Sequence, residues 1–141
     1  MNLSYQSTVD LNKSAELTFS NMRKYYEHFS VDWNKSAILE QIMGLDNWDI
    51  IQGGKMVGAL RLSIDVKECW LRDLQVEKQF QNLGVGTYAL EEAKVKAIQA
   101  GAELIKLRVF KMSPAHKLYK RVGFQVNEED EKFYYMDKKI S

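Results

Sequence analysis

The sequence predicts a single α/β domain built on a mixed β-sheet, and two observations carry that prediction. Segments with a period of two follow one another between about Trp48 and Val76 across short polar turns, the signature of an antiparallel meander. A glycine-containing loop, a long helix and another alternating segment come next, a crossover that sets its two strands parallel. Two helical stretches precede all of these, and no repeat, linker or low-complexity tract divides residues 1–141.

The first helix is expected from about Leu11 to Phe29, because Ala15, Phe19, Met22, Tyr26 and Phe29 recur at spacings of four and three. Asp10 is its cap. A shorter helix follows Asp32, with Ile38 and Ile42 facing inward. Trp48 opens the apolar segment Trp48-Asp49-Ile50-Ile51, and Gln52-Gly53-Gly54-Lys55 reads as a hairpin turn. In the next strand Leu60, Leu62 and Ile64 alternate with Arg61, Ser63 and Asp65. A third strand covers about Cys69 to Val76, with Trp70, Arg72, Leu74 and Val76 on one side if no bulge interrupts it.

A polar loop from Glu77 to Asn82 leads into a helix from about Gly84 to Ala100, and Ile105, Leu107 and Val109 then mark another strand. Ser113-Pro114 starts a helix with serine as cap and proline in the first turn. Ala115, Leu118, Tyr119 and Val122 form its apolar face, and Gly123 ends it. Phe124 to Val126 and Phe133 to Met136 close the fold as a strand pair.

Composition excludes several classes. Lys and Arg total 20 against 19 Asp and Glu, for a net charge of +1, and hydrophobic residues make up 45%. Such a chain is neither disordered nor basic enough for nucleic acid to be its main partner. The one cysteine, Cys69, forms no disulfide within the chain and argues against a cysteine-based metal site, so no metal is expected. The N-terminus has neither a basic nor an apolar leader segment, and the longest apolar or glycine run, Met56 to Leu60, is far below the ~20 residues that span a bilayer. The expectation is a cytoplasmic protein with no membrane contact.

Two segments carry chemistry. In Gln81-Asn82-Leu83-Gly84-Val85-Gly86-Thr87, glycines admit close backbone approach, and unpaired amides at the helix start make a site for an anion such as pyrophosphate. A tight turn needing glycine only for packing fits equally well on this segment alone. The run Gly84 to Ala89 also fits a dinucleotide fingerprint, but the next strand ends in Phe110-Lys111 with no acid, and the loop follows an antiparallel meander. That reading fails. In the second segment, Ala115 to Phe124, Tyr119 taken by itself is a core tyrosine with its hydroxyl at the edge. Lys111, Lys117, Lys120 and Arg121 are either a solvated face or a phosphate receiver.

Taken together, the two segments resemble motifs A and B of the GNAT superfamily of N-acetyltransferases. Gln81-Asn82-Leu83-Gly84-Val85-Gly86 matches [Q/R]-x-x-G-x-[G/A], and Ala115, Leu118, Tyr119, Gly123 and Phe124 match A-x-x-L-Y-x-x-x-G-F. The order of elements matches as well, and the resemblance is specific from about Leu71 to Phe124. It implies a GNAT-like fold: a mixed sheet with an N-terminal meander, a central βαβ crossover and helices on both faces. It also implies acetyl-coenzyme A as cosubstrate.

By that resemblance, backbone groups of Leu74, Gln75 and Val76 line the pantetheine arm on a splayed strand. Gln81, Asn82, Leu83, Gly84, Val85, Gly86 and Thr87 hold the pyrophosphate, mainly through amides, and Ala115 and Tyr119 complete the cofactor contacts. Tyr119 is the implied acid for the departing thiolate, a suitable task for a phenol of ordinary pKa about 10. An amide near Val76 stabilises the oxyanion. Two positions depart from the pattern: Met112 stands where the family often has Asn, beside Ser113, and Gln81 stands where Arg also occurs, with Lys78 close by.

No general base is identified. Glu68 and Asp73 are the acids on or beside the central strand, Cys69 has no histidine near it in sequence, and His28 and His116 both suit structural roles. Acceptor choice falls to Tyr25, Tyr26, His28, Trp33, Arg72, Tyr134 and Tyr135, most of which equally suit core packing. The expected reaction is acetyl transfer to a primary amine, of a small molecule rather than a protein terminus, by direct attack in a ternary complex. The alternative is a non-catalytic acyl-CoA-binding regulatory module. The acceptor and the oligomeric state stay open, a homodimer included.

Overall fold

The computed structural model describes all 141 residues. Seven strands and four α-helices follow in the order β1 (Leu3–Ser7), α1 (Leu11–His28), α2 (Lys35–Ile42), β2 (Asp46–Gln52), β3 (Lys55–Asp65), β4 (Glu68–Val76), α3 (Val85–Gln99), β5 (Leu104–Phe110), α4 (Ala115–Arg121), β6 (Gln125–Glu129) and β7 (Phe133–Lys139). A short 3-10 turn spans Lys78–Phe80. The strands form one mixed sheet in the order β1-β2-β3-β4-β5-β7-β6. Two compact units divide the chain, Met1–Arg61 with Asp73–Val85 and Leu62–Arg72 with Gly86–Ser141.

In the first unit, α1 starts at the cap the sequence indicates, while α2 starts at Lys35, its cap Asn34 lying two residues beyond the expected Asp32. The Asp10 carboxylate accepts from the Lys13 amide, and Asn34 accepts from Ala37 to cap α2. Ala15, Ile38 and Ile42 are buried in the α1–α2 seam, with Phe19, Tyr26 and Trp33 packed around them. Burial of this kind stabilises by about 1.5–3 kcal/mol for each large aliphatic side chain. Gly53 and Gly54 both have positive φ, +60° and +76°, as a two-residue hairpin between β2 and β3 requires. β1 is an addition to the sequence reading. Only five residues long and mostly polar, it pairs antiparallel with β2 from Leu3↔Gln52 to Ser7↔Trp48.

A second face of α1 is polar yet faces inward. Ser14 and Thr18 are buried there, and both bond to Arg61 of β3, whose side chain has 0% exposure. Every N–H of that guanidinium is used: Nε donates to Asn47 Oδ1 (3.0 Å), Nη1 to Thr18 Oγ1 and Asp73 Oδ2, and Nη2 to the Ser14 carbonyl and hydroxyl. Full satisfaction is the condition under which a buried charge is tolerated.

In the second unit, β4 pairs parallel with β5 from Glu68↔Leu104 to Leu71↔Leu107, as the crossover predicts. β7 lies antiparallel between β5 and β6, in register from Leu104↔Lys139 to Phe110↔Phe133 on the β5 side. Ala89, Ala93 and Ala97 bury one small-residue stripe of α3. α4 starts one residue later than expected, with Pro114 rather than Ser113 in the cap position, so the Ser113 hydroxyl accepts from the Ala115 amide just ahead of the helix instead of capping it. At the other end of α4, Gly123 has φ +104°, Phe124 N–H reaches back to the Tyr119 carbonyl (3.0 Å), and Lys138 Nζ donates to the Val122 carbonyl (2.7 Å).

The pairing of β3 with β4 departs from simple alternation. Arg61 and Ser63 share one face of β3, two residues apart, but their partners on β4 are consecutive: Asp73 for Arg61 and Arg72 for Ser63. Such pairing requires a local irregularity in one of the two strands.

Candidate active site

The end of β4 is built by contacts within the first unit. A Cβ at Gly58 would lie 2.4 Å from the Gln75 carbonyl oxygen and 3.4 Å from Val76 Cα, so β3 and β4 approach closely there only because residue 58 is glycine. Beyond it the Glu77 amide donates to the Val57 carbonyl (2.8 Å). Alternation along the strand therefore directs the N–H and C=O groups of Leu74 and Val76 away from β3. The Val76 carbonyl accepts two side-chain amides at 2.9 Å, Asn21 Nδ2 from α1 and Gln81 Nε2 from the following loop.

Gln81 thus closes back on the strand that precedes it. Asn82 and Gly84 follow with φ of +62° and +91°, a backbone excursion that carries the chain into α3. Residues 81–84 are exposed, and the only atom within 4 Å of a Cβ built at Gly84 is Met1 Cε, at 3.7 Å. Val85, Gly86 and Thr87 form the first turn of α3, where amides lack intrahelical acceptors and the helix dipole favours an anion. Val85 anchors the turn by burial, and a Cβ at Gly86 would meet Leu118 Cδ2 at 2.9 Å, which keeps α3 close to α4.

Tyr119 lies on α4 in the second unit, 8% exposed, with its ring edge-on to Phe124 at 5.8 Å between centroids. Ala115 begins that helix. Met112 is exposed and the Ser113 hydroxyl is engaged by the Ala115 amide. Lys111 pairs with Glu129 (2.6 Å), and Lys111 and Lys120 both lie over the Tyr134 ring, at 5.3 and 5.4 Å. His116 meets Tyr134 at 5.3 Å, and burial with the nearby Lys120 and Lys117 charges lowers its pKa.

The carboxylates named as possible bases are held. Asp73 Oδ2 accepts from Arg61 and Thr18, and Oδ1 from Gln75 Nε2 (2.6 Å), while Glu68 pairs with Lys106 (3.4 Å). Cys69 is fully buried, so it is not placed as a nucleophile. Arg72 is exposed, its Nε bonded to Ser63 (2.9 Å) and its guanidinium 4.7 Å from the Trp70 ring centroid. No group of three or more His, Cys, Asp or Glu is arranged to hold a metal ion, and no helix is long and apolar enough to cross a membrane.

Burial first, then the Asp73 charge, push the Tyr26 phenol up to about 12, with Arg61 opposing. Its folded pKa lies above the ordinary 10, so the stability linked to it is complete below pH ~10 and is lost as pH rises through about 12. Ultraviolet titration of tyrosinate is expected to show a late-ionising phenol that disappears in Tyr26→Phe. A variant with an unchanged high-pH limb would contradict the assignment.

Sequence reasoning missed the polar face of α1. Its signal was present in Ser14, Thr18 and Asn21, spaced by four and three beside the apolar stripe.

The Acetyltransferase (GNAT) family profile matches residues 12–124. No curated protein matches the chain. Among solved structures, PaiA N-acetyltransferase from Thermoplasma acidophilum in complex with coenzyme A is 19% identical over 99% of each chain, with a TM-score of 0.77. The ribosomal-protein-S18-alanine N-acetyltransferase from Escherichia coli is 19% identical, over 99% of this chain and 95% of that one, with a TM-score of 0.75. A GNAT acetyltransferase from Elizabethkingia anophelis with acetyl-CoA bound is 14% identical over 98% of each, with a TM-score of 0.77. The seven-stranded mixed sheet is the fold these proteins share, and with the profile spanning both chemical segments, this chain belongs to the GNAT family of acetyltransferases.

Proposed function

We propose that the protein is an acetyl-CoA-dependent N-acetyltransferase that acetylates a primary amine of a small molecule by direct attack. The observation that carries this reading is the 81–87 loop: positive-φ residues at 82 and 84 lead into first-turn amides on an exposed stretch whose glycine leaves room for a ligand. Amides of Leu83 to Thr87 take the pyrophosphate, supported by the α3 dipole. Leu74 and Val76 offer backbone groups directed away from β3 to the pantetheine arm, and Gln75 between them supports the strand, its backbone turned toward β3 and its carboxamide bonded to Asp73 and Asn21. Ala115 lies at the α4 start. Two of the structural neighbours carry coenzyme A or acetyl-CoA, which supports the choice of cosubstrate.

In the reaction the amine nitrogen bonds to the thioester carbonyl carbon and the C–S bond breaks. The departing sulfur takes the Tyr119 phenol proton, and the proton released by the amine passes to water, from which the phenolate is reprotonated. The Val76 N–H faces the carbonyl oxygen as charge develops. One domain spans the whole chain in this reading, and the buried single cysteine suits a reducing, cytoplasmic setting.

Thiol release from acetyl-CoA against an amine panel tests the proposal. Thiols have an ordinary pKa near 8.5 and leave readily, so general-acid help belongs at the lower end of its range. Tyr119→Phe is expected to lower kcat on the order of 10²-fold while coenzyme A affinity changes less than about threefold. An unchanged kcat removes the acid role. Cofactor binding with no turnover on any amine instead supports the acyl-CoA-binding module.

A further inference from the structure

The Val76 carbonyl is an unusual acceptor, because two side-chain amides from different segments converge on it. On an extended strand, the N–H and C=O of one residue point to the same side. The Val76 N–H and its own carbonyl oxygen are therefore neighbours on the side away from β3. An incoming acyl oxygen that accepts from the N–H also meets the negative end of that carbonyl. Donors on the carbonyl draw its charge away and leave the N–H as the group presented.

Asn21 is the stronger of the two donors by placement. Its bond to Val76 is partly buried, whereas the Gln81 bond is exposed. Its second N–H donates to Gln75 Oε1 (3.1 Å), Gln75 Nε2 donates to Asp73, and Asp73 is tied to the buried Arg61. Both N–H groups of the Asn21 carboxamide are thus engaged, one by the carbonyl and one by the network behind Gln75. The same peptide unit is fixed on its other side by the Glu77 amide bonded to Val57.

We propose that Asn21 is a positioning residue for acetyl transfer: by capping the Val76 carbonyl, it frees the Val76 N–H to stabilise the oxyanion. The inference rests on the acetyl-CoA reading above and adds a residue on α1, outside both sequence motifs. Its signature is electrostatic. Asn21→Asp has nearly the same shape but replaces a donor by an acceptor, so it should harm the site more than Asn21→Ala, the reverse of what packing dictates.

The test uses uniformly 15N-labelled full-length protein titrated with coenzyme A and acetyl-CoA, with thiol-release kinetics alongside. In the wild type, acetyl-CoA is expected to shift the amides of residues 83–87 and of Val76. In Asn21→Ala, the loop shifts should persist with affinity within about threefold, while the Val76 shift shrinks and kcat falls about tenfold. Asn21→Asp should lose more of both. A retained Val76 shift with unchanged kcat in both variants overturns the proposal, as does a loss that follows melting temperature rather than charge. Wild-type loop shifts without a Val76 shift overturn it alone and leave the cofactor reading standing. No loop shift in the wild type removes the cofactor reading, and this proposal with it.

Discussion

Asp73→Leu is expected to lower the unfolding free energy by about 3–5 kcal/mol, since it strands a fully buried guanidinium without its counter-charge. The Arg61 side chain has 0% exposure and that of Asp73 19%, so bulk water does not replace the lost carboxylate. Four other acceptors remain around Arg61, but all are neutral and come from Ser14, Thr18 and Asn47. Gln75 loses its acceptor at the same time, and with it the hold on Asn21 weakens. Adding Arg61→Met should recover part of the loss, because a neutral pair no longer buries a lone charge. Recovery stays incomplete, as Ser14, Thr18 and Asn47 lose their donor. Urea unfolding of both singles and the double closes the cycle. An Asp73→Leu variant as stable as wild type, or singles that simply add, would show that the pair does not hold the first unit together.

Elements specified by neighbouring residues were legible in the sequence: the Asp10 cap, the Gly53-Gly54 turn and the Gly123 stop of α4. The parallel β4–β5 pairing followed from the crossover that joins them. The pairing of Asp73 with Arg61 and of Arg72 with Ser63 was not legible, because it depends on how β3 meets β4. Nor was β1, whose short polar stretch becomes a strand only through its pairing with β2. Arg61 reads in sequence as the polar half of an alternating strand, yet a polar stripe on α1 turns inward to meet it. The loop at 81–87 and Tyr119 enter the proposed site through their motifs. Asn21 was not legible, because it lies 55 residues from the carbonyl it caps and no local rule joins them.

Gly84→Glu is expected to abolish coenzyme A binding, a loss beyond about 100-fold, or more than about 2.7 kcal/mol. Two effects act together and are separable. With φ at +91°, any side chain at residue 84 strains the backbone by about 1–3 kcal/mol, although space is open around it. Gly84→Ala carries that strain without charge and should lower the melting temperature with a smaller loss of affinity. Glutamate adds a carboxylate beside the first turn of α3, where the helix dipole favours an anion. It satisfies the amides that the pyrophosphate would use and repels the diphosphate as well. Calorimetric titration of the two variants with coenzyme A, with melting curves for each, distinguishes strain from competition. If the Glu variant binds within about threefold of the Ala variant, charge at residue 84 is irrelevant to the ligand. The amides entering α3 are then not where the coenzyme's phosphates sit.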